Sequence, residues 1–196
     1  MSRYRQNVLE LMEQTLSGLP RFERALDFGS GDGWFAHAVS ERGWAREVVP
    51  VDVQRRERVL VEPMLYDGRT LPFADRAFPL VYSIDVLHHA PDPLGTLEEV
   101  LRCTGEYFLL KDHTYRSQAG YLTLCLLDEL GNRRFAVPSR YRYQREWDWI
   151  PVLARAGFAL QKFIHPAACE RGVLRVFNTF QFIGLWKRVS ADAGAR

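Results

Sequence analysis

The stretch Arg24-Ala25-Leu26-Asp27-Phe28-Gly29-Ser30-Gly31-Asp32-Gly33-Trp34 constrains the fold more than any other part of the chain. Ala25, Leu26 and Phe28 form a short apolar run, long enough for one buried strand. Glycines follow at alternate positions, Gly29, Gly31 and Gly33, and then Trp34, Phe35, Ala38 and Val39 at helical spacing. A strand, a glycine turn and a helix open a nucleotide-binding α/β fold. Glycine serves there because the turn is tight and a ligand must approach bare backbone. The competing reading is an ordinary strand-to-helix turn.

The identity of the ligand follows from two departures. A dinucleotide fingerprint needs Gly-x-Gly-x-x-Gly/Ala, but counting from Gly29 its last position holds Trp34. A bulky indole spoils the close helix–strand contact that glycine permits. Asp32 also stands where the helix begins, and a carboxylate there disfavours a pyrophosphate. Both features argue against NAD and FAD. A ligand with adenosine and no phosphate, such as S-adenosylmethionine, suits the turn better. Asp52 ends a second strand-like run, Glu47–Asp52, about 20 residues beyond the turn, where an acid can take ribose hydroxyls. Asp67, in Tyr66-Asp67-Gly68, could accept from an adenine amino group, with Leu71 and Phe73 packing nearby. The alternative for each acid is a solvated turn residue.

The run Leu26–Gly33 resembles the first motif of class I S-adenosylmethionine-dependent methyltransferases. The stretch Leu71-Pro72-Phe73-Ala74-Asp75, Phe78-Pro79-Leu80-Val81 and Asp85-Val86-Leu87-His88-His89-Ala90-Pro91-Asp92-Pro93 resembles the middle motifs of their small-molecule branch, which includes the ubiquinone/menaquinone C-methyltransferases. The resemblance covers residues 22–115 best. It implies that Gly29, Ser30 and Gly31 line the methionine part of the cofactor, that Asp52 holds the ribose and Asp67 the adenine, and that Val53, Gly68, Ile84 and Asp85 complete the cofactor site. Two departures from the family pattern have structural consequences. Pro79 replaces the usual acid and lacks an amide donor, so it is expected at the first residue of its strand. The segment between Asp52 and Asp67 is too short for a crossover helix, so Gln54–Glu57 should be a loop or a single turn.

Along the chain, a first helix is expected over residues 4–17, ended by Gly18 and Pro20. Strand, helix and strand should follow at about 24–28, 32–42 and 47–52, with further strands at Val59–Tyr66, Leu80–Ile84 and Tyr107–Leu110. Pro93–Leu101 reads as a helix with Glu98 and Glu99 exposed. This alternation predicts a Rossmann-like, doubly wound, mainly parallel seven-stranded sheet covered on both faces. Beyond it, Ser117 and Gly131 bracket a helix that is apolar on more than one face. A second helix is expected near Gln144–Ala156, and strands at Phe158–Ile164 and Val176–Val189, the last antiparallel. Residues 190–196 read as a frayed tail. The organisation is therefore one domain: an N-terminal helix (1–20), a cofactor-binding core (21–113), a helical lid and acceptor region (114–157) and C-terminal strands (158–189).

With 196 residues and 47% hydrophobic composition, the chain can build a substantial core. No apolar run is long enough to span a membrane and no signal-peptide core opens the sequence. An odd, widely spaced set of cysteines, Cys103, Cys125 and Cys169, suggests a reducing cytoplasm and has no zinc-binding spacing. The net charge of +2 implies no polyanionic partner. Arg133, Arg134, Arg140, Arg142 and Arg145 interleave with Phe135, Tyr141 and Tyr143, a pattern that could stack RNA. The plainer reading is a solvated loop with its aromatic residues packed inward, and no nucleic-acid partner is expected.

Ligands of doubly wound sheets bind at the carboxyl ends of the strands. Those ends gather Asp85, His88, His89, Asp112, His113 and Tyr115. His113 is the first candidate for a general base toward a protic acceptor, and His89 the second; His88, Tyr115 and Tyr121 are expected to line the acceptor. Since adjacent strand residues point to opposite faces, Asp112 is expected to be structural and not the partner of His113. The expected function is methyl transfer from S-adenosylmethionine to an oxygen, nitrogen or carbon atom of a small molecule, by in-line displacement without a metal. The alternative is a non-catalytic S-adenosylmethionine-binding module that acts through a partner. In either case the two-faced helix at 117–130 could seat a second copy or a partner subunit.

Overall fold

The computed structural model describes residues 3–132 and 140–189. Its elements in chain order are α1 (Arg3–Leu16), β1 (Phe22–Phe28), α2 (Trp34–Glu41), β2 (Ala45–Asp52), β3 (Met64–Leu65), β4 (Phe78–Ile84), α3 (Pro93–Cys103), β5 (Thr104–Tyr115), α4 (Gln118–Asn132), β6 (Gln144–Arg145), α5 (Ile150–Arg155), β7 (Phe158–Ile164) and β8 (Gln181–Arg188). Short 3-10 segments at Leu87–His89 and Gly172–Phe180 complete it.

The strands lie in the order β3-β2-β1-β4-β5-β8-β7, with β6 added beside the end of β5. Pairing is parallel from β3 through β5, and β8 runs antiparallel to both β5 and β7. Strand order reverses between β1 and β4, which places the ligand crevice at the carboxyl ends of those two strands. Alternation along the strands splits the core in two. Ala25, Leu80, Tyr82, Leu109, Ile183 and Leu185 face α1 and α2. Leu26, Phe28, Val81, Phe108, Leu110, Phe182 and Trp186 face α3 and α5. Local signals set the helix ends. Gly18 takes a left-handed φ of 83° just after α1. Asp92 caps α3 by accepting from the Gly95 amide at 3.1 Å, with Pro93 at the first turn.

Several expectations need correction. The third strand is only Met64–Leu65, because the chain before it folds back onto the glycine turn, where the Leu60 amide donates to the Asp32 carbonyl at 2.7 Å. Pro79 is the second residue of β4, and the register with β5 shifts there; that irregularity accommodates the missing amide. Glu99 is half-buried, because it accepts from Arg102 and from the Leu71 amide. The helix expected at Gln144–Ala156 starts only at Ile150, since Gln144 and Arg145 pair with Thr114 and Tyr115. Its Val152 and Leu153 belong to the core. Residues 172–180, partly expected as strand, form a 3-10 segment before β8 begins at Gln181. Helix α4 continues through Gly131 to Asn132. Gln54–Glu57 is indeed irregular, as the short connection requires. The expected tail at 190–196 lies outside the described residues, as do Arg133, Arg134 and Phe135.

Candidate functional site

The glycine turn is built by its backbone. Gly29, Gly31 and Gly33 have φ of 74°, 61° and 75°, the left-handed region that L side chains disfavour. The amides of Gly29 and Ser30 donate to the Val51 carbonyl at 2.9 and 3.0 Å, tying the turn to the end of β2. A Cβ on Gly33 would lie 2.5 Å from the Val61 carbonyl oxygen, and one on Gly29 would strike Val86. Asp52 closes the same corner. One carboxylate oxygen accepts from the Gly31 amide at 2.8 Å and the other from the Val53 amide at 2.7 Å. Val53 in turn packs over Gly68, within 3.3 Å of where a Cβ would stand. Gly29, Ser30, Gly31, Asp52, Val53 and Gly68 therefore share one corner of the fold. Asp67 is exposed, and its carboxylate accepts from the amides of Arg69 and Thr70 at 2.8 and 2.9 Å; those bonds hold its carboxyl below the usual range. Asp32 does not stand as an isolated charge at the helix start, because Arg5 of α1 pairs with it at 2.7 Å. Beneath the turn, Asp27 is buried, and burial pushes its carboxyl up to about 8.

Ile84 and Asp85 end β4 on the other side of the reversal point. Asp85 adopts φ 57°. Its carboxylate receives the Lys111 ammonium at 2.5 Å and the Tyr4 hydroxyl at 2.7 Å. Lys111, fully buried, also donates to Gln181 at 2.6 Å and to the Tyr4 oxygen. Burial alone would discharge both ions. Their mutual attraction outweighs it, raising the Lys111 ammonium and lowering the Asp85 carboxyl.

The expected acceptor residues meet at one place. His88 and His89 sit on the 3-10 turn after β4, with ring centroids 4.1 Å apart. The His113 ring, at the end of β5, is 5.0 Å from His88, and Tyr143 stacks on His88 at 5.1 Å. Tyr121 of α4 is 5.2 Å from Tyr115 and 6.3 Å from Tyr143. Asp112 lies within reach of both the His88 and His113 rings, with Oδ1 3.5 Å from His113 Nδ1, so strand alternation does not separate it from His113. It binds His88 Nδ1 at 2.6 Å and accepts the His113 amide at 2.7 Å. Burial opposes ionisation of Asp112, but His88 and His113 hold its carboxyl well below the usual range. Burial likewise lowers His88, and the Asp112 charge outweighs it, for a net rise. His113 goes the other way: burial and the Lys111 charge push it down. His89 is pushed down to about 4 by burial and by His88. His113 and His89 are therefore neutral near pH 7 and able to accept a proton. His113 retains 16% side-chain exposure, whereas His88 is 2% exposed.

Sequence reading missed Tyr4, Lys111, Asp128, Tyr143 and Gln181. Lys111 lies in the same strand-end triplet as Asp112 and His113, and a lysine ending an otherwise apolar strand was the available signal. Tyr143 faces inward beside Asp128, as the plainer reading of the arginine-rich stretch expects, though its place beside His88 was not foreseen. Tyr141 is half-buried and donates to Glu129 at 2.7 Å.

The model of a methyltransferase-domain family matches residues 1–170. An uncharacterized methyltransferase of Mycobacterium sp. (strain KMS) is 34% identical over 104 residues, which are 50% of this chain and 40% of that protein. The chain thus spans well under half the length of that curated relative. Among solved structures, an S-adenosylmethionine-dependent methyltransferase from Mesorhizobium loti superposes with a TM-score of 0.67 at 17% identity, over 94% of this chain and 98% of that one. One from Aquifex aeolicus does so with a TM-score of 0.59 at 18% identity, over 92% and 88%. No helix among the described residues is long and apolar enough to cross a membrane.

Proposed function

Because the chain belongs to this methyltransferase-domain family, we propose that it transfers the methyl group of S-adenosylmethionine to an oxygen, nitrogen or carbon atom of a small acceptor. The observation that carries the reading is a juxtaposition. A glycine turn closed by Asp52 and a cluster of histidine and tyrosine rings lie at the same end of the sheet, on either side of the strand-order reversal. In this reading Gly29, Ser30 and Gly31 hold the methionine part and Asp52 the ribose. Asp67 takes the adenine, with Val53, Gly68, Ile84 and Asp85 around the cofactor.

Transfer is an in-line displacement. The acceptor atom bonds to the methyl carbon as the carbon–sulfur bond breaks, and the thioether leaves neutral. The displacement itself therefore needs no Lewis acid, and alignment and exclusion of water supply most of the acceleration. A protic acceptor must also lose a proton. His113 is the group we assign to it, because its side chain keeps 16% exposure while Nδ1 is buried beside Asp85 and Asp112, at 3.4 and 3.5 Å, which orient the ring. His89 is the second candidate. Tyr115, Tyr121 and Tyr143 supply an aromatic wall, and His88 supports that wall from behind.

The row Leu122, Leu126 and Leu130, each more than half exposed along α4, is where we place contact with a second copy or a partner. The decisive experiment is methyl release from labelled S-adenosylmethionine with a panel of phenols, amines and carboxylic acids. Turnover with one of them supports the reading. Tight binding of S-adenosylhomocysteine with no turnover on any of them would favour a non-catalytic module instead.

A further inference from the structure

We propose that His88, His89 and Asp128 form a binding site for a divalent transition-metal ion of the zinc class, set in the wall of the acceptor pocket. One ligand atom from each of these residues lies within 4.8 Å of the others. His89 Nε2 is 3.9 Å from Asp128 Oδ1. Tetrahedral zinc with bonds of about 2.0–2.1 Å places its ligand atoms about 3.3 Å apart. Closing the site therefore draws the 3.9 Å pair together by about half an ångström and the widest pair, up to 4.8 Å apart, by as much as about 1.5 Å.

The support behind the site is what distinguishes it from a chance cluster. Metal-binding histidines usually give their second ring nitrogen to a carboxylate, which fixes the tautomer and aims the ligating lone pair. Asp112 does this for His88. Its carboxylate takes Nδ1 at 2.6 Å, both groups are buried, and Nε2 is left as the ligating nitrogen. Asp112 is itself held by the His113 amide. A second grouping, His88 with Asp112 and His113, also has ligand atoms close enough to share an ion. It would use the carboxylate that already orients His88, so we assign Asp112 to the supporting role and Asp128 to the ligand role.

Imidazole and carboxylate donors suit zinc, cobalt or nickel better than magnesium or calcium, which prefer all-oxygen sites. Three protein ligands leave a coordination position open, as catalytic zinc sites do. That position points to an oxygen or nitrogen of the acceptor, a role that rests on the acceptor pocket proposed above. The ion would hold and orient the acceptor and leave the sulfonium untouched. Sequence spacing hid this site because Asp128 comes from α4, whereas both histidines come from the turn after β4.

The test uses chelator-treated full-length protein titrated with Co2+, followed by its visible absorption, and with Zn2+ by calorimetry. One ion per chain is expected. His89→Ala and Asp128→Ala should each abolish the cobalt spectrum. Asp112→Asn should weaken affinity by about 10–100-fold, the usual cost of losing a supporting carboxylate. All of these variants should keep their S-adenosylhomocysteine affinity, which shows that they are folded. Absence of saturable binding to the wild-type chain overturns the proposal. So does an unchanged Co2+ spectrum in folded His89→Ala and Asp128→Ala. Labelled methyl release is scored separately, so that failure of the metal site and failure of the methyltransferase reading give different results.

Discussion

Replacing Asp27 by asparagine should stabilise the protein, and by an amount that depends on pH. Asp27 lies under the glycine turn, buried, with Oδ2 lacking any hydrogen-bond partner among the described residues. Burial raises its carboxyl to about 8, and the nearby Asp52 and Asp32 charges add to this, against an amide hydrogen bond from Ala36. In the unfolded chain an aspartate titrates at about 3.9. Between these values the folded state carries a proton that the unfolded state has lost. Stability must then fall as pH rises, by up to about 1.4 kcal/mol per pH unit for one proton. From pH 4 to pH 7 the accumulated cost reaches about 4 kcal/mol as a ceiling. Asparagine is neutral and nearly the same shape, so it removes this dependence. Urea unfolding of wild type and Asp27→Asn at pH 5, 6, 7 and 8 measures the difference directly, and the other titrating groups cancel. The variant should gain on the wild type steadily from pH 5 to 7 and level off near pH 8. A difference that stays flat across this range, or a variant that loses ground as pH rises, would refute a neutral Asp27.

S-adenosylhomocysteine should raise the melting temperature and NAD should not. Trp34 still blocks the close helix contact of a dinucleotide site, although Arg5 now offsets the Asp32 charge; stabilisation by NAD alone would sink the assignment. Asp52→Ala should weaken S-adenosylhomocysteine binding by about 1.5–3 kcal/mol, the range for hydrogen bonds to a charged group. Calorimetry checks it, and an unchanged affinity in a folded variant removes Asp52 from the ribose. For His113→Gln we expect turnover reduced by about 100-fold or more, with S-adenosylhomocysteine affinity retained; near-normal turnover with a protic acceptor would remove His113 from the mechanism.

The parts of the fold that were legible in the sequence are those whose cause is local. The glycine turn, α1 and the parallel strands follow from periodicity, capping residues and positive φ, all written within a few residues. The misreadings share a different cause. Val59–Tyr66 has the composition of a strand, but Val61 is drawn onto Gly33, and only Met64 and Leu65 remain to pair with β2. Gln144 and Arg145 have the pattern of a helix start, yet the long β5 offers them free edge positions at Thr114 and Tyr115. The site shows the same division. His88, His89, His113, Tyr115 and Tyr121 were legible because strand ends in this fold converge. Tyr4 and Asp128 were not, because α1 and α4 bring them from far away in the chain, and no spacing encodes that approach.

The cluster around Lys111 shows how the fold uses that approach. A buried ion pair is a weak source of stability, because desolvation offsets most of its attraction, but breaking one partner away costs about 3–5 kcal/mol. Lys111 and Asp85 both stay charged, and their remaining hydrogen-bonding capacity goes to Tyr4 of α1 and Gln181 of β8. Four elements thus meet at one charge pair, at the strand-order reversal where the crevice opens. Asp85 pays for this with a left-handed φ of 57°, uncommon for a residue with a side chain. Such strain persists only where surrounding contacts over-determine it. The contacts here fix the direction of a carboxylate between the glycine turn and the His113 ring, which lies 3.4 Å from Asp85. Helix α1 is therefore part of the site's geometry. It holds Asp85 through Tyr4 and Asp32 through Arg5, so a displacement of α1 would move the cofactor side and the acceptor side of the crevice together.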